Sequence, residues 1–314
     1  MSYSKVKPLY REELYMICPI CGDDGKPISR LSSNLSAIGY LKCNSCKSTF
    51  ASRKASREEL LDYYSRYYTE SNLEPPILVK KSLGKTVKDF ERYRSQYNTV
   101  CDLGFGAGTL LELAQDAGWK CVGSEYSEDA IKIGKAKGWE VHHGDLGETD
   151  LCGPYDVLTI IETLEHVQNP RELLQQALVR IRAGGLLYGT TPNGGSLNAY
   201  LLKNNWSVIT FPEHPVLLSR KSLKKILKEL GFEQISVHSR GLNPYDLLVN
   251  IRIKMRIRET NSQSPGGRVD FGYSLNSAFS RNAVMNKIKF FVMFILAITN
   301  LGDSLVFKAT KVKA

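Results

Sequence analysis

The run Val100-Cys101-Asp102-Leu103-Gly104-Phe105-Gly106-Ala107-Gly108 holds the clearest ligand chemistry in this sequence. An apolar stretch ends in an acid, and three glycines follow at alternate positions. A helical pattern then begins, with Leu110, Leu113, Ala114 and Ala117 on one face. A strand, a glycine turn and a helix start let a ligand approach bare backbone. The spacing is GxGxG rather than the dinucleotide GxGxxG, and no lysine follows, which argues against a bound triphosphate. Two carboxylates come after it in order: Glu125, 23 residues beyond Asp102, at the end of the next apolar run, and Asp145 after a third. Four cysteines form two knuckles, Cys18-Pro-Ile-Cys21 and Cys43-Asn-Ser-Cys46, separated by 21 residues. Two such knuckles read as a tetrahedral Zn2+ site. Four thiolates leave no open coordination position, so the zinc is expected to staple a small module, not to catalyse.

The order of these features resembles class I S-adenosylmethionine-dependent methyltransferases. The glycine run is similar to their motif I. Asp156-Val157-Leu158-Thr159-Ile160-Ile161-Glu162-Thr163-Leu164-Glu165-His166-Val167 is similar to their fourth strand and its sequel. The resemblance spans about residues 98–240. It implies S-adenosyl-L-methionine as cofactor, held by Asp102, Leu103, Gly104, Phe105, Gly106, Gly108, Glu125, Tyr126, Asp145, Leu146 and Glu162. Backbone at the glycines would face the methionine part, and Asp102 its amino end. Glu125 would accept from both ribose hydroxyls. Asp145 would accept from the adenine amine, and Leu146 would lend backbone and apolar contact. His166 and His214 are the catalytic candidates; Phe211-Pro212-Glu213-His214 resembles a stretch lining the acceptor side in relatives.

The elements that must position these residues alternate strand and helix, so an α/β fold follows: a seven-stranded Rossmann-like sheet, covered on both faces. Strands are expected at Thr99–Leu103, Lys120–Ser124, Glu140–His143, Asp156–Ile161, Leu186–Thr191, Glu233–His238 and Ser304–Thr310. Asn169-Pro170 opens a helix whose stripe is Leu174, Ala177, Leu178 and Ile181, closed by Gly184-Gly185. The chain divides into a zinc module (1–55), a helical connector and cofactor lid (56–97), the cofactor-binding core (98–240), a substrate-side helical insertion (241–303) and a last core strand (304–314).

With 42% hydrophobic and 24% charged residues, the composition is that of a globular protein. No secretory leader and no run of about 20 apolar residues is seen, so a cytoplasmic enzyme is expected. The nine apolar residues from Phe290 to Ile298, flanked by lysines, suit a buried helix, a homodimer contact or peripheral membrane contact. The net charge of +10 is uneven: residues 140–175 carry eight acids against one arginine, and 199–260 carry eleven bases against five acids. A basic acceptor side suits an anionic or sugar-containing small molecule. The leading reading is O- or C-methylation in a glycan or natural-product pathway. An RNA methyltransferase is the alternative, although no Asn/Asp-Pro-Pro-Tyr follows the fourth strand. A binding module without catalysis is the third.

Overall fold

The computed structural model describes residues 17–27, 39–56, 58–60, 62–63, 77–144, 151–243, 287, 291, 294–296 and 298–313. The strands, in chain order, are β1 (Gly25–Pro27), β2 (Tyr40–Cys43), β3 (Thr49–Ala51), β4 (Thr99–Leu103), β5 (Lys120–Glu125), β6 (Glu140–His143), β7 (Tyr155–Ile161), β8 (Ile181–Pro192), β9 (Val216–Leu217), β10 (Phe232–Arg240) and β11 (Ser304–Lys311). The helices are α1 (Ile77–Phe90), α2 (Thr109–Asp116), α3 (Glu128–Ala136), α4 (Pro170–Arg180), α5 (Leu197–Leu202) and α6 (Arg220–Glu229).

Seven strands form the main sheet, in the order β10-β11-β8-β7-β4-β5-β6. Pairing is parallel from β8 through β6, and β11 runs antiparallel to both its neighbours. The reversal follows from where the chain re-enters. β10 ends at Arg240, and β11 starts at Ser304 directly opposite it, so the chain must run back. Side chains alternate across the sheet. Cys101, Leu158, Leu187 and Phe307 point into one apolar cluster, and Val100, Val157, Leu186 and Val306 into the other. Such two-faced burial is what a sheet covered by helices requires. Helix starts are capped as the residue types demand: Ser127 accepts from the Ala130 N–H, and Asn169 from the Glu172 N–H with Pro170 following.

The helix after Asn169 is shorter than its apolar pattern suggests. It stops at Arg180, and Ile181 is already extended and buried as the first residue of β8. Gly184 and Gly185 therefore lie within the strand. The cause is an ion pair from Arg182 Nε to the buried Asp156 at 2.5 Å, with Tyr155 in register with Ile181.

The second sheet has the order β1-β2-β3-β9. Three strands come from the cysteine-bearing region, and β9 comes from the segment after β8. Cys18, Leu41, Cys43, Cys46 and Phe50 belong to the same apolar cluster as Leu223 and Ile226 of α6. Residues 58–60 and 62–63 are helical, as are the described residues between 287 and 299. Among its described residues Leu296 is buried, whereas Phe291, Phe294 and Ile298 are exposed. Arg252, Lys254, Arg256 and Arg258 lie outside the described residues. Among the described residues no helix is long and apolar enough to cross a membrane.

Candidate functional site

The carboxyl ends of β4, β5 and β7 stand side by side, with Leu103 in register with Ser124 and Ile160. The glycine turn leaves the sheet between them, which puts Glu125 and Glu162 on its flanks. Gly104, Gly106 and Gly108 have φ of 68°, 52° and 74°, a region L side chains rarely enter. A Cβ on Gly104 would lie 2.6 Å from Thr163 Oγ1, and one on Gly108 2.5 Å from the Trp139 ring. Around Gly106 nothing lies within 4 Å of that position. Gly104 and Gly108 are thus required by packing, and Gly106 presents bare backbone to open space.

Phe105 turns inward. Its ring sits 6.0 Å from Trp139, edge on, and fills the space above Gly123, where a Cβ would come within 2.6 Å of it. Leu103 is also buried in the core. Both leave only backbone for a ligand. Glu125 is 7% exposed. Its Oε2 accepts from the Gly106 N–H at 2.9 Å, and its Oε1 from the Tyr126 and Ser127 N–H groups at 2.7 and 3.2 Å. The carboxylate therefore ties the glycine turn to the end of β5. Tyr126 is exposed beside His143, whose Nε2 donates to the Tyr126 carbonyl at 2.9 Å. Asp145 and Leu146 lie outside the described residues; Gly144, just before them, donates its N–H to the Glu125 carbonyl at 3.0 Å.

Asp102 is buried beneath the turn, where Thr159 Oγ1 donates to its Oδ1 at 2.5 Å. Burial pushes its carboxyl up to about 7, against the pull of the Thr159 hydrogen bond, and the Glu125 charge adds to the rise. Thr159 and Thr163 are structural partners of the site that motif reading passes over. The signal was present for Thr159, a hydroxyl in the apolar run from Val157 to Ile161.

A second group gathers after β7. Glu162 is exposed with φ 49°, and its N–H donates to the Thr190 carbonyl at 2.9 Å. Glu165 is buried and accepts from Thr191 Oγ1 at 2.9 Å. Burial, then the Glu162 charge, holds its carboxyl well above the usual range. His166 Nδ1 lies 3.1 Å from the Glu213 carbonyl, and His214 Nδ1 lies 2.8 Å from the Val208 carbonyl. A carbonyl only accepts, so the His166 Nδ1 carries the proton and its Nε2 keeps its lone pair; the His214 Nε2 lies 3.9 Å from Glu213 Oε1. The two rings are 4.8 Å apart. Burial, and then the His214 charge, lowers the His166 pKa to about 4, so the imidazole is neutral at physiological pH. Ligand-capable atoms of Glu165, His166 and His214 all lie within 4.8 Å of one another.

The four sulfurs of Cys18, Cys21, Cys43 and Cys46 likewise lie within 4.8 Å of one another. Cys18 and Cys46 are 3.6 Å apart, and Cys21 and Cys43 3.4 Å. The hydrogen bond from Cys18 pulls the Cys46 thiol down to about 4, and the same bond pushes Cys18 up. Between this cluster and the core runs a cleft of about 410 Å³, bordered by Arg53, Lys54, Gln168, Asn169 and Pro215. A depression of about 370 Å³ at the far end of the sheet, lined by Arg92, Gly184 and Lys311 among others, touches none of the residues above.

A family profile described as a methyltransferase domain matches residues 74–237. The chain is 31% identical over 107 residues to a ubiquinone biosynthesis O-methyltransferase of Bordetella avium, covering 31% of this chain and 44% of that protein. It is 27% identical over 128 residues to the protein of that name from Hydrogenovibrio crunogenus, covering 37% and 50%. The chain thus spans about half the length of the curated relatives it matches. Geranyl diphosphate C-methyltransferase of Streptomyces coelicolor A3(2) shares the fold, with a TM-score of 0.50 at 13% identity over 74% of this chain and 79% of that one. Because the matched profile covers more than half of its residues, this chain belongs to the methyltransferase-domain family.

Proposed function

We propose that this chain is an S-adenosylmethionine-dependent methyltransferase that methylates a hydroxyl oxygen of a small molecule, with the glycine turn holding the cofactor and His166 and His214 facing the acceptor. The observation that carries this reading is the histidine pair. The His166 Nδ1 is committed to the Glu213 carbonyl, which leaves its Nε2 lone pair beyond the carboxyl end of β7, with the His214 ring 4.8 Å away. A hydroxyl acceptor must shed a proton as it attacks, and a neutral imidazole can take it. The cofactor supplies a methyl group already activated on a sulfonium, so the protein's remaining work is alignment. The printed names of the curated relatives support oxygen as the accepting atom.

Roles follow position. Backbone at Gly104, Gly106 and Gly108 lies along the methionine part. Asp102 answers its ammonium through water. Glu125 accepts from the ribose hydroxyls, yielding the bond it now takes from the Gly106 N–H. Tyr126 flanks the adenine, and Glu162 closes the cofactor side after β7. Asp145 and Leu146 take the adenine edge. The finer acceptor class is a sugar, glycan or natural-product intermediate carrying negative charge. Lys54 in the cleft beside Pro215 supports it.

We further propose Zn2+ at the four cysteines. A tetrahedral ion with Zn–S of about 2.3 Å separates sulfurs by about 3.8 Å, near the 3.4 and 3.6 Å found here and far above a disulfide. The ion would hold together β1, β2 and β3, which have no apolar core apart from that of α6.

The test is transfer of labelled methyl to a panel of hydroxylated sugars, nucleotide sugars, phenols and RNA. Label in an ether on a small hydroxylated acceptor is the expected result. A protein that binds cofactor yet labels none of the hydroxyls refutes the assignment, and label in RNA would favour the alternative.

A further inference from the structure

We infer that the four-cysteine module is a clamp on the acceptor side, and that Tyr40 is the positioning residue through which it holds His214 and His166. The inference rests on the acceptor-side reading of the two histidines and on the metal at the four cysteines.

The links from the module converge on the segment between β8 and the first turn of α6. Phe50 and Thr49 pair with Val216 and Leu217, and the Ala51 N–H donates to the Pro215 carbonyl at 2.9 Å. Lys42 donates to the Gly194 carbonyl, and Ser219 Oγ to the carbonyl of Cys46 itself. Ser48 Oγ meets Ser222 Oγ at 2.7 Å, and the Arg53 guanidinium lies 4.8 Å above the Phe211 ring. This network joins the knuckles to one stretch of the core, the stretch that carries His214.

Tyr40 makes the most specific of these contacts. Its ring is buried, and its hydroxyl lies 2.9 Å from the Thr210 carbonyl and 2.8 Å from that of His214. Those carbonyls are the two ends of a single turn, which the His214 N–H closes by donating to the Thr210 carbonyl at 2.8 Å. Within that turn the Glu213 carbonyl receives the His166 Nδ1–H. One phenolic proton thus serves both ends of the turn that sets the orientation of both imidazoles. Tyr40 opens β2, and Cys43 closes it, so the pin stands about 10 Å along a single strand from a cysteine of the cluster. The glycine turn and Glu125 lie on β4 and β5, on the other side of β7, and share none of these links. The clamp should therefore govern the acceptor side and leave cofactor binding alone.

The experiment compares three states of the full chain: zinc-loaded, stripped by chelator under reducing conditions, and zinc-loaded Tyr40→Phe. Metal content is checked by elemental analysis. Hydrogen exchange read by mass spectrometry should speed up roughly tenfold for amides 206–217 in the stripped chain and in Tyr40→Phe. Amides 99–127 should keep their rates, and affinity for S-adenosylhomocysteine should change by less than about twofold. Tyr40→Phe should retain its zinc, and its His166 Nδ1–H signal in the nitrogen-15 spectrum should move while the ring signals of His143, whose Nε2 donates to the Tyr126 carbonyl, stay. Equal protection of 206–217 in all three states overturns the inference, as does an unmoved His166 signal in Tyr40→Phe. Equal loosening of 99–127 would mean general destabilisation and also overturns it, as would a chain that takes up no zinc. None of these readouts needs an acceptor. Their failure leaves hydroxyl methylation standing, and failure to label any hydroxyl leaves them intact.

Discussion

Asp102 gives the cofactor site a proton that can be counted. Its carboxyl, buried under the glycine turn and bonded to Thr159, is pushed up to about 7 from an ordinary 3.8. A rise of about three units corresponds to about 4 kcal/mol. The folded chain holds this proton more tightly than the unfolded one between those two values. Stability from this group is therefore full below about pH 4 and falls as pH rises to about 7. Asp102→Asn keeps an oxygen for the Thr159 hydroxyl and removes the charge. The variant should be more stable than the parent at pH 8, by a few kcal/mol at most, and should lose that part of the pH dependence. Binding adds a second consequence. A cofactor carrying an ammonium group beside Asp102 favours the ionised carboxylate, so binding at pH 6 should release most of one proton. Affinity should rise as pH climbs from 5 to 7, by up to about tenfold per unit. Calorimetry of S-adenosylhomocysteine binding in buffers of different ionisation enthalpy counts the protons directly. No release at pH 6 from the parent, or the same release from Asp102→Asn, would refute the assignment of this group to the cofactor's amino end.

The remaining predictions concern the turn and the histidines. Gly108→Ala places a methyl 2.5 Å from the Trp139 ring at φ 74°, and its melting temperature should drop far more than that of Gly106→Ala, where nothing lies within 4 Å; equal melts by circular dichroism would contradict the packing account. The Gly106→Ala cost should be backbone strain alone, about 1 kcal/mol. His166→Gln should lower kcat by about 10²- to 10⁴-fold with cofactor affinity unchanged, as measured by label transfer and calorimetry. Because burial lowers the His166 pKa to about 4, kcat/KM for the acceptor should show no limb from His166 near pH 6.5; such a limb, absent from His166→Gln, would show that the imidazole is not buried as described.

The ends of β4, β5 and β7 were legible because each is an apolar run closed by an acid or a glycine, which marks both the strand and the point where it leaves the sheet. The start of β8 was not. Ile181 continues the helical spacing of Leu174, Ala177 and Leu178, and what accompanies its extended backbone, the pairing with Tyr155 and the Arg182–Asp156 ion pair, comes from a different strand. Nor was the union of the cysteine module with the core. β9 is two residues long, too short for any periodicity, and its partner β3 lies far upstream. Phe105 looked like part of the ligand surface because it sits among the glycines. Its inward turn depends on Gly123 and Trp139, which belong to other elements and carry no local signal. The tautomer of His166 depends on the Glu213 carbonyl of a distant loop, and the sequence around His166 does not point to it.

The central claim is that Glu125 and the bare backbone at Gly106 hold S-adenosylmethionine. Equilibrium dialysis of labelled cofactor against the parent and Glu125→Ala, with melting curves recorded in parallel, tests it most directly. The account predicts one site per chain in the parent and at least about a tenfold loss of affinity in a Glu125→Ala variant that remains folded. Equal affinity in the two folded proteins would contradict it.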